Sequence, residues 1–170
     1  DSINAQTTKG LDHKYAGQGK LPPLSAAYIE CDLLEKRWQS LQSILTKLGP
    51  YKKQRLVFNN GSEEIFWAGD FAVVIALGKL KSKTVMEGWL THLQVCANSK
   101  VPVSTIVIAR NSSRSKKDQF EIALQWHQLQ TTQAQQELKK LKSIANQGLK
   151  YCWPIPPESG WAFAKINRGN

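Results

Sequence analysis

The segment of residues 83–100, KTVMEGWLTHLQVCANSK, decides the fold class because its apolar residues follow helical spacing over one broad face. That face comprises Val85, Met86, Trp89, Leu90, Leu93, Cys96 and Ala97. An arc of this width is typical of a helix that lies against a sheet and is covered on its other side. We therefore predict that Trp89, Leu90, Leu93 and Cys96 belong to the core, and that Trp89→Ala costs about 3–5 kcal/mol of stability.

Strand-like segments flank this helix on both sides. Before it, residues 56–58, 65–67 and 71–77 are rich in residues that favour strands, and NNGSE at residues 59–63 is a turn signal. After it, VSTIVIAR and FEIALQW have the composition of two further strands, joined by the tip NSSRSKKDQ at residues 111–119. The run at residues 71–77 is apolar at nearly every position, which predicts burial on both faces.

Two more amphipathic helices complete the pattern. The first has an apolar stripe at steps of four and three, which places Trp38 in the core and comprises Leu34, Trp38, Leu41, Leu45 and Leu48. Gly and Pro at residues 49–50 stop it. The last helix begins at Thr132, where Gln135 completes the spacing of a capping box, and it ends at Gly148. The order helix, three strands, helix, two strands, helix predicts an α/β fold with a central mixed β-sheet flanked by helices.

Length and composition limit the class of protein. The chain has 170 residues, a formal net charge of +10 and three cysteines. We predict an extended N-terminal arm at residues 1–23, followed at residues 24–170 by one domain of a larger chain. Widely spaced cysteines without a CxxC pair argue against a disulfide framework or a zinc site and fit a reducing cytoplasm. No apolar run has the length of a membrane span, and we expect no membrane, cofactor or small-molecule substrate.

The positive charge favours nucleic acid, an acidic partner or an anionic surface. The most basic segment supplies five candidate DNA-binding residues: Lys100, Arg110, Arg114, Lys116 and Lys117. Contacts from such residues to phosphates give salt-dependent binding that is independent of base sequence. The alternative is a solvated surface that keeps the domain soluble, and we prefer that interpretation for the lysines of the last helix.

His92 and Cys96 are four residues apart on the central helix, which brings their side chains within reach of each other. A thiol nucleophile needs an activated thiolate and an orienting third group, and two ligands do not make a metal site. The sequence contains no partner motif for either role. We therefore predict that this pair, beside Trp89, is packed and hydrogen-bonded, and that the domain has no catalytic or metal-binding residue.

The order of elements also matches the layout of restriction-type, metal-dependent nucleases. Those enzymes need an Asp on one strand and a carboxylate two residues before a Lys on the next, so that Mg²⁺ is held beside the attacked phosphate. Asp70 is the candidate for the first position, but Leu77 stands two residues before Lys79, and Lys79 two before Lys81. Residues 71–83 contain no Asp or Glu. The sequence therefore predicts a restriction-endonuclease-like fold of the PD-(D/E)xK type without catalytic residues.

Several motifs resemble the C-terminal region of RecC, the gamma chain of bacterial exodeoxyribonuclease V. They are GKLPP at residues 19–23, KRWQSL at 36–41, WAGDF at 67–71, WLTHLQVCA at 89–97 and PIPPESGWAF at 154–163. Their order and spacing agree with that family over most of the chain, whereas the tip NSSRSKKDQ has no counterpart in the pattern.

The resemblance implies a nuclease-like domain that has lost its catalytic carboxylates, binds the RecB and RecD subunits, and helps to split double-stranded DNA ends at a protruding pin. The expected function is thus a non-catalytic scaffold of a cytoplasmic DNA-repair helicase–nuclease, with no enzymatic activity of this domain by itself. Residues 59–63 and 111–119 are both candidates for the pin. Two alternatives stay open: an active metal-dependent nuclease of the same fold, and a stand-alone protein-interaction module without a DNA role.

Overall fold

A computed structural model describes residues 25–58, 61–99, 101, 103–116, 118–150 and 159–160. The predicted arm at residues 1–23 lies outside this range, as do residues 59–60 of the predicted turn. The elements are α1 (Ser25–Leu48), β1 (Tyr51–Phe58), β2 (Gly61–Ala68), β3 (Phe71–Lys79), α2 (Ser82–Asn98), β4 (Ser104–Arg110), a short 3-10 helix (Arg114–Lys116), β5 (Phe120–Trp126) and α3 (Thr131–Gly148). The predicted order of helices and strands is confirmed.

The five strands form one mixed sheet in the order β1-β2-β3-β4-β5. Neighbouring strands are antiparallel except β3 and β4, which are parallel and are joined by the crossover helix α2. The strand β3 pairs with β2 over only three positions, from Phe66 opposite Val73 to Ala68 opposite Phe71. With β4 it pairs from its first residue to its last, from Phe71 opposite Ser104 to Lys79 opposite Arg110.

Helices cover both faces of the sheet, and the two-residue period of the strands divides the core between them. On β3, Val73 packs in the cluster that contains Leu41 and Leu45 of α1. Its neighbour Ala72 packs in the cluster that contains Val95 of α2. The outer side of α2 is covered in turn by α3, through a cluster that contains Leu93, Cys96 and Ala134. The wide apolar face of α2 thus has the predicted sheet on one side and a helix on the other.

The predicted core positions are correct for Leu93 and Cys96, which are buried, and Trp89 is half-buried. They are wrong for Trp38, which is 44% exposed, and for Leu90, which is 43% exposed. Trp38 continues the apolar stripe of α1, but the described sheet covers the later turns of that helix. Leu90 lies about 200° around α2 from the sheet-facing Gly88, because each residue turns the helix by about 100°.

Two finer predictions are also wrong. The last helix begins two residues earlier than a capping box at Thr132 predicts, with Gln130 as its N-cap and no side-chain capping bond, so Thr132 and Gln135 form no capping box. The run at residues 71–77 is not buried throughout, because Leu77 is 77% exposed. That exposure follows from the short pairing of β2 with β3, which leaves the end of β3 with a paired neighbour on one side only.

Candidate nucleic-acid interface

The strand directions bring cationic residues from separate parts of the sequence to one edge of the sheet. Because β3 and β4 are parallel, they end together, and Lys79 is aligned with Arg110. The antiparallel β5 begins at the same edge, where Phe120 is opposite Arg110. We call this end of the sheet the basic edge and define it by the residues Lys79, Lys81, Lys83, Arg110, Arg114 and Lys116.

Three of the five predicted DNA-binding residues belong to the basic edge. Arg110 ends β4, and Arg114 and Lys116 lie on the exposed 3-10 helix that follows it. The other two, Lys100 and Lys117, lie outside the described residues. Ser99 and Val101 are at the opposite end of β4, where the strand begins, so the described neighbours of Lys100 are not beside Arg110.

Sequence reasoning missed three members of the basic edge, namely Lys79, Lys81 and Lys83. It treated Lys79 and Lys81 only as possible nuclease lysines. The signal that identifies them is the strand–helix–strand unit formed by residues 71–110, because a parallel crossover places the ends of both strands together. All three side chains are exposed to solvent.

Few carboxylates oppose these cations. The Nζ atom of Lys83 lies 3.8 Å from a carboxylate oxygen of Glu87. Asn111 donates a side-chain hydrogen bond to Glu121 on β5. Among the described residues, no salt bridge involves Lys79, Lys81 or the cations of the 3-10 helix. The Nε atom of Arg110 is buried and has no hydrogen-bond partner within the same part of the chain.

The loop between β4 and β5 is fixed to α1. Arg37 donates from Nε at 2.9 Å and from Nη2 at 2.7 Å to Oδ1 of Asp118, and both side chains are largely buried. The backbone N–H of Phe120 donates to Oγ of Ser40 at 2.8 Å. Within the loop, the N–H of Asn111 donates to the carbonyl oxygen of Gln119 at 2.8 Å. The cations of the 3-10 helix are therefore carried by an anchored loop.

The acidic residues do not form the arrangement that a restriction-type nuclease needs. Asp70 lies in the turn between β2 and β3, at the opposite end of β3 from Lys79, so nine extended residues place them about 30 Å apart. Asp70 is therefore too far from Lys79 to share a metal site with it. Glu63 and Glu64 are exposed residues of strand β2, and Glu64 lies 3.9 Å from Lys53. No group of three His, Cys, Asp or Glu residues able to hold a metal ion occurs among the described residues.

The pair His92 and Cys96 is in contact, but it lacks the properties of a reactive site. Cys96 Sγ lies 3.7 Å from Nδ1 of His92, and both residues are buried. Burial raises the pKa of the Cys96 thiol, which disfavours the reactive thiolate. The imidazole stacks on Trp126, with ring centroids 6.1 Å apart, and lies beside Trp89 at 5.5 Å. The geometry supports the predicted packing role.

The fold and this edge define a class of protein: an α/β domain with a mixed five-stranded sheet, helices on both faces and a cationic edge where the parallel strands end. The model of the RecC C-terminal domain family matches residues 2–167, so this chain belongs to that family. The predicted resemblance is confirmed. RecC forms the RecBCD exonuclease and helicase complex of DNA repair and recombination together with RecB and RecD.

No curated protein matches the chain in a sequence search. Among the described residues, no helix has the length and apolar character that crossing a membrane requires.

Proposed function

We propose that the chain is a non-catalytic scaffold domain of a RecBCD-type helicase–nuclease, which contacts the RecB and RecD subunits and guides or splits duplex DNA at double-strand ends. It acts in the cytoplasm and carries no cofactor of its own. The fold belongs to the restriction-endonuclease-like PD-(D/E)xK class, with the catalytic carboxylates lost. Membership of the RecC C-terminal domain family supports the assignment to this complex, and the chain's own residues support the non-catalytic role.

The observation that carries the non-catalytic role is the side chain of Leu77. In a nuclease of this layout, a carboxylate two residues before the lysine of this strand holds the metal ion. Here the corresponding position before Lys79 is an exposed leucine, and residues 71–83 contain no acid. A hard divalent cation requires several oxygen ligands, and lysines next to it oppose its binding.

Contact with partner subunits is supported by the first half of α1. Its exposed large apolar residues are Tyr28, Ile29, Leu34 and Trp38. Trp and Tyr are enriched in protein interfaces, where they supply much of the binding energy. The role in splitting DNA is supported by position, because the described residues that flank or belong to both candidate pin segments, Phe58 and Gly61 for the first and Asn111 and Gln119 for the second, lie at the end of the sheet that carries the basic edge.

Two experiments test the proposal. The chain is mixed with purified RecB and RecD, and stable co-purification is expected. It is also incubated with supercoiled plasmid and Mg²⁺ or Mn²⁺, and no cleavage is expected. Cleavage that disappears in Glu63→Gln/Glu64→Gln or in Asp70→Ala would establish an active nuclease instead. Failure to bind the partner subunits and DNA at low salt would favour a stand-alone interaction module.

A further inference from the structure

We infer that the basic edge is a binding site for the phosphodiester backbone of DNA, and that Lys79 and Lys81, at the junction of β3 and α2, are among its principal contacts. This inference rests on the proposed function and specifies where the domain meets nucleic acid. It adds residues that the basic segment around Arg110 does not contain.

The first argument is convergence. Lys79 and Arg110 end two adjacent parallel strands, and adjacent strands are about 4.8 Å apart. Lys81 and Lys83 continue from β3 into the first turn of α2. The loop after β4 adds Arg114 and Lys116. Residues more than 30 positions apart in the chain are thus gathered on one end of the sheet by its topology.

The second argument is the charge balance. The basic edge has six cations, and the carboxylates nearest in the described contacts are Glu87, beside Lys83, and Glu121, bonded to Asn111. Asp118 is held by Arg37 of α1. The edge therefore keeps an excess of positive charge, which attracts a polyanion and raises its rate of association. The first turn of α2 contains no acidic residue that would oppose this charge.

The third argument concerns the type of anion. The side chains of these lysines are flexible and exposed. Within the described part of the chain they have no salt-bridge partner, apart from the contact of Lys83 with Glu87 at 3.8 Å. Such cations act as point charges and do not read base edges. They suit a ligand with closely spaced phosphates, and double-stranded DNA carries a charge every 1.7 Å or so along its axis. Binding is then independent of sequence and sensitive to salt.

The test compares two double variants of the whole chain that lose the same charge. Lys79→Gln/Lys81→Gln alters the basic edge, and Lys47→Gln/Lys52→Gln alters exposed lysines at the opposite end of the sheet, where α1 ends and β1 begins. Binding to a fluorescent 20-base-pair duplex is measured by anisotropy at several salt concentrations. A single strand of equal length and polyglutamate are further probes, and circular dichroism confirms folding of both variants.

We expect the edge variant to bind DNA about tenfold more weakly at low salt, and the control to change less than twofold. The slope of log affinity against log salt should fall by about 1.8 for the duplex, since each phosphate contact contributes about 0.9. The same pattern with the single strand also supports the site. Equal losses in the two variants, no DNA binding by the unmodified chain, or equal affinity for polyglutamate overturns it. Co-purification of the edge variant with RecB and RecD shows that the proposed scaffold role in the complex stands even if this inference fails.

Discussion

The Nδ1 atom of His92 lies 2.9 Å from the Oγ1 atom of Thr105, which joins α2 to β4 by a hydrogen bond between two fully buried side chains. The imidazole is surrounded by Trp89, Trp126 and Cys96. A buried polar group is costly without a partner, so this bond removes a penalty that either side chain would otherwise carry. It is a direct polar contact between the crossover helix and the sheet within their buried interface.

Protonation of His92 should destabilise the fold. Burial lowers the pKa of His92 from its ordinary value of 6.5, and a hydrogen bond to the backbone of His127 raises it by less. Between the folded and unfolded pKa values, the unfolded chain binds the additional proton. The contribution of neutral His92 to the free energy of unfolding is therefore fully present above about pH 6.5. It falls as the pH drops toward the lower pKa of the folded state, by up to about 1.4 kcal/mol per pH unit.

Urea unfolding between pH 5 and 8 measures this effect. Replacement by His92→Gln should remove much of the decline between pH 6.5 and 5, whatever its effect on absolute stability. The matched control is His127→Gln, which alters an exposed side chain and keeps the backbone group. A wild-type decline that persists unchanged in His92→Gln would assign the pH dependence to other groups.

Two leucines of α2 should differ sharply when truncated. Leu93 is 0% exposed between the sheet side and α3, so Leu93→Ala removes packed methyl groups and should cost about 2–5 kcal/mol. Leu90 faces outward, and Leu90→Ala should change the free energy of unfolding by about 0.5 kcal/mol or less. Chemical denaturation measures the loss of unfolding free energy in both variants, which carry the same substitution on the same helix. Similar losses would contradict the observed orientation of α2, which buries Leu93 and exposes Leu90.

The close approach of α2 to the sheet depends on Gly88. A Cβ atom at this position would lie 2.8 Å from Cγ2 of Val107 and 2.9 Å from Cζ3 of Trp126. Alanine gains about 1 kcal/mol of helix propensity over glycine, but overpacking against a buried strand and a large ring costs about 1–3 kcal/mol. We therefore expect Gly88→Ala to lower the thermal midpoint. For the control Gly78→Ala, no atom lies within 4 Å of the added Cβ, so no such clash arises.

The sequence was sufficient to predict the elements and their order, because the periods of the apolar residues are strong in α2, β4 and the later turns of α1. It was insufficient where exposure depends on partners distant in the chain. The stripe of α1 continues through Trp38 without any change of pattern, yet the apolar cluster that α1 shares with the sheet begins at Leu41. Leu90 belongs to an apolar arc that is wider than the surface available to cover it.

The candidate site was likewise predictable from the sequence only in part. Arg110, Arg114 and Lys116 are close in sequence, and their grouping followed from the basic segment alone. The alignment of Lys79 with Arg110 depends on the parallel pairing of β3 with β4. Composition and period do not specify that pairing, because antiparallel and parallel strands with two covered faces have similar apolar patterns. By contrast, the separation of Asp70 from Lys79 follows from residue spacing, because the predicted strand of residues 71–77 lies between them.

The ion pair between Arg37 and Asp118 should control the rigidity of the loop that carries Arg114 and Lys116. Two charge-assisted hydrogen bonds from one guanidinium to a largely buried carboxylate are typically among the stronger side-chain contacts. Replacement by Arg37→Gln should therefore raise the amide hydrogen-exchange rates of Asn111 and Gln119 by about tenfold, which corresponds to about 1.4 kcal/mol of lost local stability. The neighbouring Lys36→Gln is the control, because its ion pair with Asp32 is solvent-exposed and lies on α1 alone. If both variants exchange at the wild-type rate, the loop is held by its backbone bonds and by Ser40 rather than by the ion pair. If only Arg37→Gln loosens the loop, its DNA affinity should fall as well, because mobile cations lose more conformational entropy when they bind phosphate.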